Sequence, residues 1–120
     1  MSEPPERDHA DLVRSLTTAR ERTATQVDAL ARDLDQIFEA SELVSTDDEH
    51  DPEGTTIAYE RAQVTALLAQ AREDLDALDR ALDDVERTGR VHCEGCGEPI
   101  AVERLLALPT ARTCIRCAPR

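Results

Sequence analysis

The sequence predicts an all-α protein, with a long antiparallel two-helix coiled-coil hairpin followed by a small C-terminal unit that carries four cysteines. Two long series of apolar residues, a short polar segment between them and paired cysteines near the C-terminus support this prediction. The boundaries we expect are a flexible tail at 1–7, a coiled coil at 8–90 with an acidic tip loop at 45–54, and a finger at 91–120.

The composition favours a thin helical core. Of the 120 residues, 17 are Ala and 13 are Leu, whereas there is one Phe, one Tyr and no Trp. A chain of this size holds one domain, and its large apolar side chains are too few for a conventional globular centre.

The charge of the chain restricts its partners. The net charge is −12, from 26 acidic and 14 basic residues, so the surface repels nucleic acid and we expect no direct DNA binding. The sequence contains neither an apolar run of the roughly 20 residues that span a bilayer nor an apolar signal core. We therefore expect a cytoplasmic protein without a membrane contact.

The first apolar series predicts one long helix, because its steps alternate between three and four residues. The series consists of Val13, Leu16, Val27, Leu30, Leu34, Ile37 and Val44, with Arg20, Thr23 and Ser41 at the intervening positions.

The second series predicts a helix of similar length. It consists of Ile57, Val64, Leu68, Ala71, Leu75, Leu78, Leu82 and Val85, with Arg61 at the one polar position. The helix is expected to end at Thr88-Gly89, since Gly adopts the left-handed cap conformation readily. Two helices of about 45 Å each, joined by a short segment, favour an antiparallel hairpin. We expect it to stand free as a monomer; the alternative is a homo-oligomeric coiled coil.

The connection between the helices, STDDEHDPEG, is strongly acidic. Its candidate functional residues are Asp47, Asp48, Glu49, His50 and Asp51. Asp51-Pro52 is typical of a helix cap followed by a proline in the first turn, although Thr55 or Thr56 could be the cap instead.

The four cysteines form two C-x-x-C pairs separated by seventeen residues. They are Cys93, Cys96, Cys114 and Cys117. This spacing is typical of a closed site in which four thiolates hold one structural Zn²⁺, and so predicts a four-cysteine zinc finger. Gly97 suits the turn after the first pair. The expected core of the finger comprises Pro99, Ile100, Leu105, Leu106 and Leu108.

Other roles for the cysteines fit the sequence less well. A disulfide is unfavoured in a chain without a secretion signal, and rubredoxin-type iron usually has a more aromatic surrounding. A redox pair would need a βαβ context. His92 adjoins the first pair, but four thiolates already close the site, so we interpret it as a bystander.

The finger resembles the DksA/TraR family of bacterial transcription regulators. The family pattern C-x-x-C-G-x-x-I, followed by R-L-x-A-x-P-x-A-x-x-C-x-x-C, is matched throughout. The matching residues are Cys93, Cys96, Gly97, Ile100, Arg104, Leu105, Ala107, Pro109, Ala111, Cys114 and Cys117. The hairpin with an acidic tip also fits, so the resemblance covers about residues 10–117.

The resemblance implies a non-enzymatic regulator that binds RNA polymerase. In this family the finger end docks near the rim of the secondary channel, and the coiled coil reaches toward the active site, where the tip carboxylates influence initiation. An acidic coiled coil is physically compatible with a channel that admits anionic nucleotides.

The sequence departs from the family at two places. Family tips commonly read D-x-x-D-x-A, which Asp48 and Asp51 match with Glu53 in the last position, while a register that starts at Asp51 is also open. The positions through which relatives hold guanosine tetraphosphate carry no basic residue; they are Gln70, Asp74, Ala77 and Ala118.

Two other functions stay open. A Gre-type transcript-cleavage accessory would use the tip carboxylates to help hold Mg²⁺ in the polymerase active site. A zinc-finger adaptor would instead pair its coiled coil with a helix of another protein. The residues specify neither the responsive promoters nor the direction of regulation.

Overall fold

The computed structural model describes residues 6–43 and 52–119, and within these ranges the protein is built from helices. Helix α1 spans Glu6–Leu43, α2 spans Pro52–Thr88, and the short α3 spans Val102–Ala107. The all-α class and the pair of long helices followed by a four-cysteine unit are confirmed. The domain boundaries stay predictions.

The acidic connection lies outside the described residues. It contains the predicted tip residues Asp47, Asp48, Glu49, His50 and Asp51. Helix α2 begins at Pro52, the first of the predicted starting points. Over 6–43 and 52–119, no helix is long and apolar enough to cross a membrane.

The chain divides into two compact units, each of which contains part of α1 and part of α2. One unit comprises Met1–Thr23 with Glu73–Arg120, and the other comprises Ala24–Arg72. We refer to them as the finger unit and the central unit.

The central unit follows the predicted heptad register and is thinly packed. The α1 positions Val27, Leu30, Leu34 and Ile37 are all half-buried. In α2, Leu68 and Ala71 are buried, with 3% and 2% of their surface exposed.

Arg61, the one polar residue in the predicted register of α2, contacts an aromatic ring in the central unit. The guanidinium carbon of Arg61 lies 5.7 Å from the centre of the Phe38 ring. A cation above an aromatic face is attracted by the ring quadrupole, so a polar residue is tolerated at this position of the register.

The finger unit has a larger core, to which the helices and the finger both contribute. Its helical members are Leu12, Leu16, Leu78, Ala81 and Val85, and its finger members are Val91, Cys93, Ile100, Leu105, Ala111 and Cys114. The helices therefore have a packing partner within the chain that the sequence did not indicate, because the finger packs on them, and the monomeric state stays a prediction. Ala81 lies outside the predicted register, and its single methyl group gave only a weak hydrophobic signal.

The core of the finger is smaller than the sequence predicted. Ile100 and Leu105 are buried as expected, but Leu106 and Leu108 are 43% and 47% exposed. Helix α3 has only six residues, and Leu105 is its one buried residue. Successive residues of a helix point about 100° apart, so Leu106 cannot share the inward direction of Leu105.

Candidate metal centre

The four predicted cysteines meet at one point of the finger unit. The ligand atoms of Cys93, Cys96, Cys114 and Cys117 all lie within 4.8 Å of one another. Cys93 and Cys114 are buried, whereas Cys96 and Cys117 are exposed, and all four are free thiols in this described part of the chain. The grouping favours metal binding over the disulfide alternative.

A tight turn positions the first cysteine pair. Gly97 has a φ of 79°, which only glycine adopts at little cost, and its N–H donates to the carbonyl oxygen of Cys93 at 2.9 Å. The N–H of Gly95 donates to the Cys93 sulfur at 3.3 Å. A Cβ atom at Gly95 would lie 3.1 Å from the Cys117 sulfur, so glycine leaves room for the second pair.

The second cysteine pair folds into a similar turn without glycine. The N–H groups of Cys117 and Ala118 both donate to the carbonyl oxygen of Cys114, at 3.1 Å and 2.9 Å. The two turns are joined by the N–H of Glu94, which donates to the carbonyl oxygen of Arg112 at 2.8 Å. Backbone hydrogen bonds therefore hold both pairs at the site.

The pKa values of the thiols diverge because the sulfurs are so close. The backbone N–H of Cys114 and other N–H donors lower the pKa of Cys93 to about 6, against the opposing effect of burial. The neighbouring sulfurs, Cys114 first, raise the pKa of Cys117 to about 12. Four adjacent thiolates repel one another strongly, so without a cation some of them retain protons.

This donor set fits one structural Zn²⁺. Four thiolates complete a tetrahedral shell, and zinc when bound supplies the positive charge that lets all of them lose their protons. The shell leaves no position for a reactive water, so the site is suited to holding the fold together.

Comparison with known proteins agrees with this geometry. Residues 87–120 match the family model described as the prokaryotic dksA/traR C4-type zinc finger. The C-terminal segment is similar to the zinc fingers of that family. The family resemblance predicted from the sequence is confirmed on this segment, as is the zinc cofactor.

Two individual proteins resemble longer parts of the chain. The structure of transcription factor DksA2 from Pseudomonas aeruginosa matches with a TM-score of 0.70 and 23% identity, over 93% of this chain and 81% of that one. This match supports the fold. The uncharacterized protein YteA of Bacillus subtilis (strain 168) is 39% identical over 70 residues, which are 58% of this chain and 29% of YteA. The matched region is thus under a third of YteA.

His92 is absent from the metal cluster of the finger and makes a different contact. Its backbone N–H donates to Asp84 Oδ2 at 2.7 Å, and its ring Nδ1 lies 3.0 Å from the same oxygen. Burial acts to raise the pKa of Asp84, but the hydrogen bonds and charge of His92, together with the Thr88 hydroxyl, lower it overall. His92 therefore ties the finger to the end of α2.

A cluster of charged residues makes a second connection between the finger and α2. Glu94 accepts hydrogen bonds from Arg80 of α2 and, at 3.4 Å, from Arg112 of the finger. Arg112 also donates to the carbonyl oxygen of Glu73 at 2.8 Å. No sequence pattern indicates these contacts or the role of Asp84, because they join residues 8 to 39 positions apart.

We expect zinc binding by the finger to release protons and to strengthen as the pH rises. The pKa values of Cys96 and Cys117 are raised, so both thiols hold protons at pH 7 and must lose them to become ligands. With at least these two protons displaced, the apparent affinity should rise by at least about a hundredfold per pH unit near neutrality. Chelator competition at several pH values measures the slope, and calorimetry in buffers of different ionisation enthalpy measures the protons. A pH-independent affinity would contradict this assignment.

Proposed function

We propose that the protein is a transcription regulator that binds RNA polymerase through its secondary channel. The observation that carries the proposal is a DksA/TraR-type zinc finger that packs onto a pair of long helices. The similarity of the fold to transcription factor DksA2 over 93% of the chain supports it. On this proposal the acidic tip at 45–54 modulates initiation from within the channel.

The distribution of charge supports a protein partner over DNA. Residues 91–120 contain four arginines and three acids, whereas residues 1–90 contain 23 acids and ten arginines. The helices therefore repel DNA but are attracted to a cation-lined channel that admits nucleotides, and the near-neutral finger can approach a protein surface.

We propose that the role of the protein is non-enzymatic and is carried out in the cytoplasm. The four thiolates leave zinc no open coordination position, so the metal has a structural role. We propose that the protein acts as a monomer, by changing how the polymerase behaves.

We expect the purified, zinc-loaded protein to bind its cognate core RNA polymerase with submicromolar affinity. A protein known to bind the secondary channel should displace it, because both would occupy the same channel. Fluorescence anisotropy with labelled protein measures the affinity, and a double-stranded DNA fragment is the control ligand. Absence of binding at low ionic strength, where screening of an acidic protein is weakest, would refute the proposal and favour an adaptor role.

A further inference from the structure

The helices of the central unit are packed more loosely than those of the finger unit. Of the central-unit residues that the structure describes, Leu68 and Ala71 are buried, and the apolar α1 positions of the register are half-buried throughout. In the finger unit, by contrast, Leu16 and Leu78 are completely buried. The hydrophobic free energy of folding scales with the apolar area removed from water, so the central unit gains less of it per residue.

A groove of about 300 Å³ lies between α1 and α2 in the central unit. The register residues Ile37, Ile57 and Val64 line it, together with Ala40, whose single methyl group does not fill it. Protein interiors are normally close-packed, with few voids larger than a water molecule. Side chains that face an unfilled space lose dispersion contacts on that side. The groove therefore weakens the pairing of α1 with α2.

The large side chains of the central unit outside the register do not compensate for this loss. Tyr59 is 71% exposed and Leu67 is 48% exposed, so neither covers the contact between the helices. Phe38 contacts Arg61 but is 45% exposed, and a cation–π contact at so exposed a site stabilises the pair only slightly. Much of the apolar area that these residues carry therefore stays in contact with water.

The local sequence of the central unit also gives its helices little stability of their own. The first turns of α2 contain Gly54, Thr55, Thr56 and Ile57, and glycine and β-branched residues have low helix propensity. The last turn of the described helix α1 has no basic residue and contains Glu42, whose charge is unfavourable at a helix C-terminus. Helices of this kind depend on packing for their stability, and the packing is weak here.

We infer that the central unit is a conformational switch with a paired and an open state. In the open state of the free protein, α1 and α2 separate within 24–43 and 52–72, while the finger unit stays folded. A partner that contacts only the paired helices shifts the equilibrium toward the paired state. The switch is a property of the free protein, whereas its use in binding RNA polymerase rests on the proposed function.

Amide exchange of the zinc-loaded free protein tests the switch. We expect amides in 24–43 and 52–72 to exchange at least about a hundredfold faster than those of α1 and α2 in the finger unit, because local opening requires less free energy than global unfolding. Helix ends fray in any case, so the reporting positions are Leu30, Leu34 and Leu68, which lie away from the ends. Equal protection in the two units would overturn the inference, because the helices would then open only together with the finger unit.

Two leucine substitutions of alanine test whether the groove causes the opening. Ala40→Leu places a larger apolar side chain in the groove, whereas Ala62→Leu makes the same change at an exposed position that does not line it. We expect Ala40→Leu to slow exchange at the reporting positions by about tenfold, since filling a void stabilises the packed state. Ala62→Leu should change it by no more than about twofold, as is usual for a surface substitution. Equal effects of both variants would refute the groove as the cause.

Amide exchange in the complex with core RNA polymerase tests the use of the switch. On binding, exchange at the reporting positions should slow by at least about tenfold, since a partner that binds only the paired state suppresses opening. If polymerase is bound and exchange stays as fast, the partner does not select the paired state and this step of the inference is wrong. If polymerase is not bound at all, the proposed function falls, while exchange in the free protein still decides whether the switch exists.

Discussion

A Cys96→Ser variant is expected to lose its zinc and with it the core that the finger shares with the two long helices. The apparent binding free energy of a four-ligand structural zinc is about 10–16 kcal/mol, so loss of one ligand should cost about 3 kcal/mol, or about a hundredfold in affinity. Metal analysis after dialysis against a chelator should find zinc in the wild type and none in the variant.

The structural consequence of zinc loss should extend beyond the finger. Cys93 and Cys114 are members of the buried cluster that includes Leu16 and Leu78 of the helices. When the finger unfolds, Leu16 and Leu78 become more exposed to solvent. Amide exchange should then accelerate in the adjoining parts of α1 and α2 as well as in 91–119. The central unit contributes nothing to that cluster, so it should keep its exchange rates.

A His92→Ala variant provides the matched control. His92 adjoins Cys93 in the sequence but contacts Asp84. The variant should be less stable because it loses a contact with α2, yet it should bind one zinc per chain. Retention of zinc by Cys96→Ser together with its loss by His92→Ala would refute the four-cysteine assignment.

Periodic features of the sequence predicted most of this fold, while contacts between distant residues escaped prediction. The alternation of three and four predicted α1, α2 and half-buried positions such as Leu34, because a helix repeats its environment along one face. The cysteine pairs predicted the metal cluster, since zinc imposes its own geometry on short local turns. Both predictions depend only on residues that lie close together in the sequence.

The features that the sequence did not predict depend on which surfaces pack against each other in the folded protein. Ala81 carries too little apolar surface to mark a second packed face on α2, and only the position of the finger explains its burial. The sequence likewise does not indicate that Asp84 contacts His92 or that Glu94 contacts Arg80, because acidic residues are common throughout the chain. Leu106 was assigned to the core for its hydrophobicity, although a helix as short as α3 buries only one side chain, that of Leu105.

Replacing Asp48 and Asp51 together with alanine is expected to remove the effect on transcription while sparing the affinity for polymerase. Helix α1 ends at Leu43 and α2 begins at Pro52, so the acidic segment joins the two helices at the ends that belong to the central unit. The finger belongs to the other unit. A single ion pair at a protein surface typically contributes about 0.5 kcal/mol, so loss of two carboxylates should cost about 1 kcal/mol and leave the affinity within about fivefold of wild type.

The control for this variant removes the same charge from elsewhere in the central unit. Asp33 and Asp35 of α1 are both exposed, and the Asp33→Ala, Asp35→Ala double variant also has two fewer negative charges. Initiation assays with saturating protein should show a lost effect for the tip variant and a retained effect for the control. A collapse of affinity in the tip variant alone would mean that the tip anchors the protein, and equal losses in both would mean that total charge matters more than position. Because saturation removes differences in binding, a lost effect at full occupancy can be attributed to the tip carboxylates themselves.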